Sequence, residues 1–348
     1  MKRKVLGVLI ILIMLVGYLP TTISIKTNQD FSKDNNENGN QKTYDRFFFD
    51  YPIMDEIISF PDEIKGEPYP IIDNLPNEYS WKNQEGKDWT TPAKHQGQCG
   101  SCWAFAALGV LESIVEIRED NADLNPDFSE QYLLSCLSEA GSCRGGRSWV
   151  AFELLQSENS SGNNANGTIF EACFPYEADD DIPCSEKCPN WMDQLVPILD
   201  WGAWEVDGTN EDRESIKSYI LENGPVVTHI RVTDLFKAYG ALIHSPHLYY
   251  PRFRRSHSVN HVVMIIGWKD IPFIPSGGYW ICKNSWGTEW GYDGYFNIAY
   301  GSLNIDGSLI VWVDYDPDTF DFPPIKDKGN SNEKLEINSL INPISHFK

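Results

Sequence analysis

The feature that most constrains this chain is the stretch at residues 96–105, which reads QGQCGSCWAF. Cys102 stands directly before an apolar run, so the sequence predicts that this cysteine begins a helix. The first turn of a helix carries unpaired backbone N–H groups and the positive end of the helix dipole, and both favour a thiolate over a thiol. Because the thiolate is the nucleophilic form of cysteine, this position predicts a nucleophile.

The apolar pattern divides the chain into a helical half followed by a strand-rich half. Residues 102–118 are apolar on most sides, which predicts a buried helix, and Ser129 before Glu130 predicts the start of a second. After about residue 198, short apolar runs predict strands at 226–232, 261–268, 279–283 and 294–299. This order indicates an α+β fold.

Further motifs follow the cysteine motif in a fixed order. Residues 129–136 read SEQYLLSC, Asn260 and His261 precede the apolar run VVMIIG, and residues 279–287 read YWICKNSWG. Together with two glycines at 145 and 146, these motifs resemble the papain family of cysteine peptidases over residues 75–315. The resemblance implies a papain-like two-lobe fold, with a helical N-terminal lobe, a β-rich, barrel-like C-terminal lobe and the active-site cleft between them.

The same resemblance assigns catalytic roles to four residues. Cys102 would be the nucleophile and would pair as a thiolate with the imidazolium of His261, which later protonates the departing amine. Asn284 would hold the histidine ring, and Trp286 would shield that hydrogen bond from water. The side-chain amide of Gln96 and the backbone N–H of Cys102 would bind the oxyanion.

Other histidines remain alternatives for the base. His257 lies four positions before His261, and His95 lies beside Gln96. His261 could also be a core histidine, since an apolar run follows it, but it stands at the family's position. The interval from Cys102 to His261 somewhat exceeds the roughly 130–150 residues of papain-like enzymes. Two insert-like loops, at 157–168 and 244–258, account for the excess.

Substrate binding is expected to use the main chain. Gly145 and Gly146 match the glycine pair that hydrogen-bonds an extended peptide in the family, and the main chain of Asn260 is expected to contribute. Arg147 and His229 fall where relatives have pocket walls for the second residue before the scissile bond. We therefore expect this pocket to accept polar or acidic side chains, although Arg147 could simply point to solvent.

The chain has 8 cysteines. The family resemblance suggests disulfides joining Cys99 to Cys143 and Cys136 to Cys184. Cys173 and Cys188 would then form an additional pair, and Cys282, inside an apolar strand, would stay free like Cys102. Paired zinc-binding knuckles with ligand histidines are absent from the sequence, and it carries no metal, nucleotide or flavin signature. No cofactor is expected.

The two ends fall outside the resemblance. Residues 1–24 combine a basic start with an apolar run, which predicts an export signal, either cleaved or kept as an N-terminal anchor. Residues 25–74 would form a short propeptide or an N-terminal arm, residues 75–315 the catalytic domain, and residues 316–348 an acidic tail. Alternate aspartates near 314–321 lack the glycine and glutamate of a calcium loop.

Composition and motifs together predict a secreted thiol protease made as a zymogen. The net charge of −22 argues against nucleic acid and against an anionic membrane surface as partners, apart from the N-terminal anchor. Protein or peptide substrates and a monomeric state are expected. Paired histidines are lacking at 177–189, where exopeptidase members of the family close the cleft, so endopeptidase action is favoured. The alternative is a non-hydrolytic peptide-binding or acyl-transfer protein on the same fold.

Overall fold

A computed structural model describes residues 51–54, 60, 66–157, 166–242, 248–249 and 258–322. The predicted export signal, most of the two insert-like loops, His257 and residues 323–348 lie outside the described residues. Within the described ranges, no helix is long and apolar enough to cross a bilayer.

The first lobe is helical, as the sequence predicts. It contains α1 (Cys102–Arg118), α2 (Glu130–Cys136) and α3 (Ser148–Gln156). Ser129 caps α2 by accepting a hydrogen bond from the Tyr132 backbone N–H at 2.9 Å. Nearly every residue of α1 is buried, because this helix contacts α2 and α3 on one side and the sheet of the second lobe on the other. Two short strands, β2 (Gly141–Ser142) and β3 (Gly145–Gly146), pair beside the start of α1.

The second lobe is a mixed sheet. Its strands are β1 (Glu78–Ser80), β4 (Asp200–Glu205), β5 (Val226–Ile230), β6 (Leu248–Tyr249), β7 (His261–Asp270), β8 (Gly278–Lys283), β9 (Tyr295–Ala299) and β10 (Leu309–Asp314). They pair in the order β4-β10-β5-β7-β8-β9-β6, with β1 added to β7. This path of described strands is open, so the expected barrel-like lobe is a curved sheet without closure among them.

Two more helices complete the second lobe. The helix α4 (Asn210–Glu222) begins with a reciprocal capping box between Thr209 and Asp212. The helix α5 (Asp234–Leu242) follows β5. The apolar strip of Phe236 and Tyr239 on α5 packs on Trp290, next to the end of the sheet where β8 stops.

The sheet register brings the later motifs together. In the antiparallel pair β7–β8, Met264 lies opposite Lys283. His261 begins β7 and Asn284 follows the last residue of β8, so both residues emerge at the same edge of the sheet. Strand β5 pairs with the other side of β7 and sets His229 opposite Val262.

The cysteines pair as the sequence analysis expects. Disulfides join Cys99 to Cys143, Cys136 to Cys184 and Cys173 to Cys188. Cys102 and Cys282 are free and buried. All three bridges lie in the helical lobe and its loops, and the first one ties the loop before α1 to the glycine-rich strand pair.

Segments flanking the predicted catalytic domain pack against it. Residues 66–74 run along α4, where the Tyr69 carbonyl accepts from the Ser215 hydroxyl at 2.8 Å and the Ile72 N–H donates to Ser218 at 3.1 Å. At the other end, Phe320 and Phe322 pack on Phe170 of the helical lobe with ring centroids 5.8 and 6.1 Å apart. The beginning of the predicted tail is therefore attached to the helical lobe.

A group of charged side chains is buried where the lobes meet. Lys94 forms ion pairs with Glu112 at 2.8 Å, Asp127 at 2.6 Å and Glu130 at 3.0 Å. Lys283, from the end of β8, donates to Thr91 at 2.9 Å, and Thr91 donates to Glu112. Acidic groups outnumber lysines in this cluster, and the low dielectric disfavours the surplus negative charge.

Glu116 on α1 has the fewest hydrogen-bond and ion-pair partners to offset the burial of its carboxyl. One carboxylate oxygen accepts from the Asn125 backbone N–H at 3.0 Å, but the other is buried without a hydrogen-bond partner among the described residues. Burial raises the pKa of Glu116 to about 8, against the hydrogen bond from Asn125. Burial also raises the pKa of Glu130, despite the attraction of Lys94. Glu116 is therefore protonated at neutral pH, whereas Glu130 stays paired with Lys94.

These raised pKa values predict a loss of stability at alkaline pH. A carboxyl that stays protonated in the folded state but ionises in the unfolded state stabilises the fold below pH 4.5, and this contribution is lost as pH rises to about 8. Between pH 4 and 6.5, His229 and His261 act in the opposite direction because burial lowers both pKa values to about 4. The window from pH 6.5 to 8 isolates the carboxyls.

We expect Glu116→Gln to flatten this dependence. In a Cys102→Ala background, which prevents self-digestion, the free energy of unfolding should fall between pH 6.5 and 8 by about 1–2 kcal/mol less in the variant than in its parent. Urea unfolding at a series of pH values measures this. Glu153→Gln, at an exposed position of α3, is the matched control and should keep the parental slope. Equal slopes for all three proteins would contradict the assignment.

Candidate active site

Cys102 lies at the first position of α1 and is completely buried. Burial raises the pKa of its thiol to about 12. The backbone N–H of Val262, at the start of β7, lowers this pKa in part. The N–H groups of Trp103 and Cys102 also lower it, which is the helix-terminus effect expected from the sequence. The contact with Val262 brings the sulfur beside the residue that follows His261, so helix and sheet meet at the nucleophile.

His261 is held from two sides. Its Nε2 lies 2.8 Å from Asn284 Oδ1, which also accepts from the Ser285 backbone N–H at 2.9 Å. Because that oxygen only accepts, Nε2 carries the proton and Nδ1 is left with a free lone pair. Trp286 stacks on the ring with centroids 4.6 Å apart. Nδ1 is buried and makes no hydrogen bond to any described group, Cys102 included.

The electrostatic state of this pair differs from the expected thiolate and imidazolium. Burial lowers the pKa of His261 to about 4, opposed by its hydrogen bond to Asn284. With the pKa of the thiol raised and that of the imidazole lowered, both side chains are neutral at physiological pH. The physical reason is that neither group reaches water in this structure, and a low dielectric disfavours both charges.

Gln96 is buried and fixed by three contacts. Its backbone N–H donates to the Ser285 carbonyl at 2.9 Å, and its side-chain Nε2 donates to the Cys99 carbonyl at 2.8 Å. The Ser285 hydroxyl donates to Gln96 Oε1 at 2.6 Å. Because the Cys99 carbonyl can only accept, that contact fixes which end of the amide is the nitrogen, and the Ser285 hydroxyl then donates to the oxygen.

Sequence reasoning missed the groups that support Gln96. Ser285 stands inside the motif that contains Asn284 and Trp286, and a hydroxyl between two assigned residues was the available signal. Tyr176 donates to the Gln96 carbonyl at 2.8 Å and contacts the Ser101 hydroxyl at 2.6 Å. Nothing in the sequence links Tyr176 to this site, because it is 75 positions from Ser101.

These groups are covered by residues 51–54 and 60. We call these residues the N-terminal arm. The Tyr51 ring stacks on Trp286 with centroids 4.9 Å apart, and the Pro52 carbonyl accepts from the Trp286 indole at 3.1 Å. The Met54 N–H then donates to the Asn260 carbonyl at 2.9 Å. Met54 is itself buried and belongs to the same apolar cluster as Cys102.

The other end of the arm reaches the far side of the cleft. The Phe60 ring lies 6.0 Å from Trp149 of α3 and 5.4 Å from His229 of β5. Between the two ends, Met54 passes close to Gly145, where an added Cβ would approach the Met54 Cβ to 3.1 Å. Gly145 also has φ of +141°, which only glycine adopts readily, so this position admits a neighbouring main chain.

The remaining predicted residues are distributed around this path. Asn260 contacts the arm through its carbonyl, and its side-chain oxygen accepts from the Val232 N–H at 2.7 Å. Gly146 lies in β3, next to Gly145. Arg147 is exposed and donates to the Glu139 carbonyl at 2.9 Å. His95, one of the rival bases, is exposed, and its Nδ1 accepts from the Gly97 N–H at 2.8 Å.

Residues 75–309 match the family model of the papain family cysteine proteases. The chain belongs to the papain family. The matched residues span the helical lobe, the cleft and the sheet up to the first residue of β10, and they include Cys102, His261, Asn284 and Gln96.

Curated relatives in this family include cathepsins. A viral cathepsin of Heliothis zea nuclear polyhedrosis virus is 31% identical over 242 residues, covering 68% of this chain and 57% of the viral protein. Cathepsin J of Mus musculus is 32% identical over 260 residues, covering 69% of this chain and 71% of the relative. A second viral cathepsin, of Cydia pomonella granulosis virus, is covered over 60% of its length. The chain therefore spans less than two thirds of both viral relatives.

Solved structures show the same fold. The digestive procathepsin L2 proteinase of Tenebrio molitor larval midgut has a TM-score of 0.59 and 24% identity, covering 77% of this chain and 79% of that one. A ragweed pollen cysteine protease allergen, solved in its proform, has a TM-score of 0.54 and 26% identity, covering 70% of this chain and 68% of that one.

The contact between Ser285 and Gln96 predicts a measurable effect on turnover. Removal of a neutral hydrogen bond costs about 0.5–1.5 kcal/mol, so Ser285→Ala should lower kcat for a peptide substrate by about 3–10-fold. Gln96→Ala should be far more severe, because the family resemblance implies that Gln96 is an oxyanion donor, and loss of such a donor costs about 10²–10³-fold in other proteases.

Steady-state kinetics on protein freed of its N-terminal arm measures both effects. Ser276→Ala is the matched control, because it removes a serine hydroxyl from the loop after β7, where its partner is the Gly278 carbonyl. An unchanged kcat in Ser285→Ala would show that Gln96 is positioned without the hydroxyl.

Proposed function

We propose that this protein is an exported cysteine endopeptidase made in a latent form, with its own N-terminal arm lying over the nucleophile. The observation that carries the proposal is the meeting of Cys102, at the tip of α1, with the edge of the sheet where His261 is held by Asn284. A nucleophile, a base and an orienting group are the parts that thiol-dependent acyl transfer requires.

The tautomer of His261 suits it to act as the base. Asn284 keeps the proton on Nε2, so the Nδ1 lone pair is available to take the proton of the Cys102 thiol. In the covered state both groups are neutral. Departure of the arm would admit water and substrate, and the thiolate and imidazolium would then be stabilised by solvent, by each other and by the helix terminus.

The reaction would then proceed through a covalent acyl-enzyme. The Cys102 thiolate attacks the peptide carbonyl carbon, and the carbonyl oxygen becomes an oxyanion that accepts from Gln96 Nε2 and the Cys102 N–H. The imidazolium of His261 donates its proton to the leaving amine as the C–N bond breaks. Water, deprotonated by the neutral imidazole, hydrolyses the thioester and returns the free thiol.

Contacts of the arm support its role as an intramolecular inhibitor. Tyr51 covers Trp286, Met54 is buried against Gly145 in the apolar cluster that includes Cys102, and Phe60 packs on Trp149 and His229. A substrate would need the same surfaces. Two of the similar structures are proforms, one a procathepsin and one a pollen protease. We therefore assign residues 25–74 as the propeptide region and residues 75–315 as the catalytic domain.

Disulfide usage supports export. Three bridges in a domain with its own large core are typical of proteins that mature in an oxidising compartment. Together with the predicted signal at residues 1–24, they favour a secreted or N-terminally anchored protein acting on proteins or peptides as a monomer.

Substitution of the two free cysteines tests the assignment of the nucleophile. We expect Cys102→Ala to lower peptide hydrolysis by at least about 10⁴-fold, as loss of a catalytic nucleophile does elsewhere. Cys282→Ala is the matched control, because Cys282 is equally buried but lies inside β8. Hydrolysis of a fluorogenic peptide by arm-free protein measures both. Comparable activity in Cys102→Ala and the unsubstituted protein would exclude Cys102 as the nucleophile.

A second experiment tests the covering arm. In the full chain, Tyr51→Ala combined with Phe60→Ala should raise the rate of Cys102 alkylation by at least about tenfold, because two aromatic contacts that hold the arm are lost. Iodoacetamide labelling followed by mass spectrometry gives this rate for Cys102. Ile71→Ala, at an exposed position of the segment on α4, is the control and should leave it unchanged. No increase in the double variant would contradict the inhibitory role.

A further inference from the structure

The pocket that holds Phe60 has an unusual polar wall. The Phe60 ring lies 6.0 Å from the Trp149 indole and 5.4 Å from the His229 imidazole, and these two rings lie 5.7 Å apart, so the three rings pack against one another. The Phe60 ring also borders a hollow of 340 Å³ whose other lining residues include Glu205, Asp207 and Ser308. The side chain that occupies this position therefore has free space on one side.

His229 faces this pocket because of its place in β5. Side chains alternate along a strand, and Val227, two residues earlier, packs in the cluster that contains α1 and the helical lobe. The neighbours Val226 and Ile230 pack in the other cluster, behind the sheet. His229 consequently projects towards the helical lobe, where it meets Trp149 and the arm.

The hydrogen-bonding state of His229 can be read from its partners. Nδ1 lies 3.3 Å from the Leu309 carbonyl, which can only accept, so Nδ1 carries the proton. Nε2 is then an acceptor. It is buried and has no hydrogen-bond partner among the described residues. A buried acceptor without a partner is uncommon, since such groups lose their hydration without compensation.

The histidine is also uncharged under ordinary conditions. Burial lowers its pKa to about 4, opposed only in part by the Leu309 carbonyl. A neutral ring does not attract a carboxylate, so the acidic side chains expected from the sequence have no counter-charge at this wall. Arg147, the other expected determinant, is exposed and engaged with the Glu139 carbonyl. The pocket is therefore lined by aromatic rings and offers one hydrogen-bond acceptor, Nε2 of His229.

We propose that this pocket selects a tyrosine side chain of the substrate over phenylalanine, with the phenol O–H donating to Nε2 of His229. The proposal rests on the proposed function, since the substrate side chain takes the place that Phe60 occupies in the latent form. Trp149 supplies the apolar contact for the ring, and His229 distinguishes tyrosine from phenylalanine. Phe60 cannot donate a hydrogen bond, so it leaves Nε2 of His229 without a partner. A substrate with tyrosine at this position would therefore displace the arm more readily.

Matched peptide substrates test this selection. Arm-free protein is assayed on four peptides that differ only at the second residue before the scissile bond, which is tyrosine, O-methyltyrosine, phenylalanine or glutamate. We expect kcat/KM for tyrosine to exceed that for phenylalanine by about tenfold, as for a satisfied buried acceptor, and glutamate to be the poorest. O-methyltyrosine keeps the phenolic oxygen but cannot donate, and it is longer than tyrosine by one methyl group, so it should fall to the level of phenylalanine or below.

A substitution at His229 tests whether this residue provides the preference for tyrosine. His229→Leu removes the acceptor and keeps an apolar wall, so it should cleave the phenylalanine peptide while losing the preference for tyrosine. The comparison of tyrosine with phenylalanine needs no variant, and equal rates for the two would overturn the selection even where His229→Leu does not fold.

The outcomes separate the two proposals. Equal rates for tyrosine and phenylalanine, or for tyrosine and O-methyltyrosine, in an enzyme that cleaves peptides would overturn the selection and leave the proposed function standing. Failure to cleave any of the four peptides, with a Cys102 thiol that still reacts with iodoacetamide in the arm-free protein, would overturn the proposed function and the selection with it.

Discussion

The packing of α1 between the two lobes is the constraint on which the rest of the structure depends. This helix belongs to the helical lobe by sequence, but it also contacts β5, β7 and β10, and a single apolar cluster includes residues of α1 and of the sheet. Its first residue is Cys102. The position of the thiol relative to His261 is therefore set by the same contacts that hold the lobes together.

The interface around α1 is not purely apolar. Glu112 and Glu116 project from the helix into a buried group that includes Lys94 and Lys283. Lys283 is the last residue of β8 and directly precedes Asn284. The buried charged group is therefore next in sequence to the residue that orients His261. Burial of several carboxyls with fewer lysines costs stability unless some are protonated. The interface consequently couples the protonation of side chains remote from the cleft to the packing that positions the site.

Covering the cleft has an electrostatic effect as well as a steric one. In this structure, the thiol and the imidazole are both excluded from water, and burial raises the pKa of Cys102 and lowers that of His261, so both groups are neutral. An inhibitory arm of this kind would therefore hold the nucleophile in its unreactive protonated form while it blocks access. Removal of the arm would change the dielectric around Cys102 and His261 at the moment the substrate surfaces are exposed.

The sequence alone determined the chemistry and much of the order of the elements. Cys102, His261, Asn284 and Gln96 were predicted because each stands in a short motif that resembles those of the papain family, and Cys102 was also predicted from its place at a helix start. The central strands β5, β7, β8 and β9 were likewise predicted within about three residues, since buried strands are continuous apolar runs. The strands β4 and β10 were missed, because DWGAWE mixes polar residues with glycine and the run at 309–314 leads into the acidic tail.

Tertiary structure decided the charge and the accessibility of the site residues, because both depend on segments distant in sequence that exclude water. Residues 51–60 carry no local pattern that points to the cleft, and only folding places Met54 in the same apolar cluster as Cys102, 48 positions away, and packs Phe60 on Trp149 and His229. The neutral state of the catalytic pair, the protonated Glu116 and the unpartnered Nε2 of His229 follow from that burial. Motifs fix which atoms can react, whereas the charge and access of those atoms are set by everything packed around them.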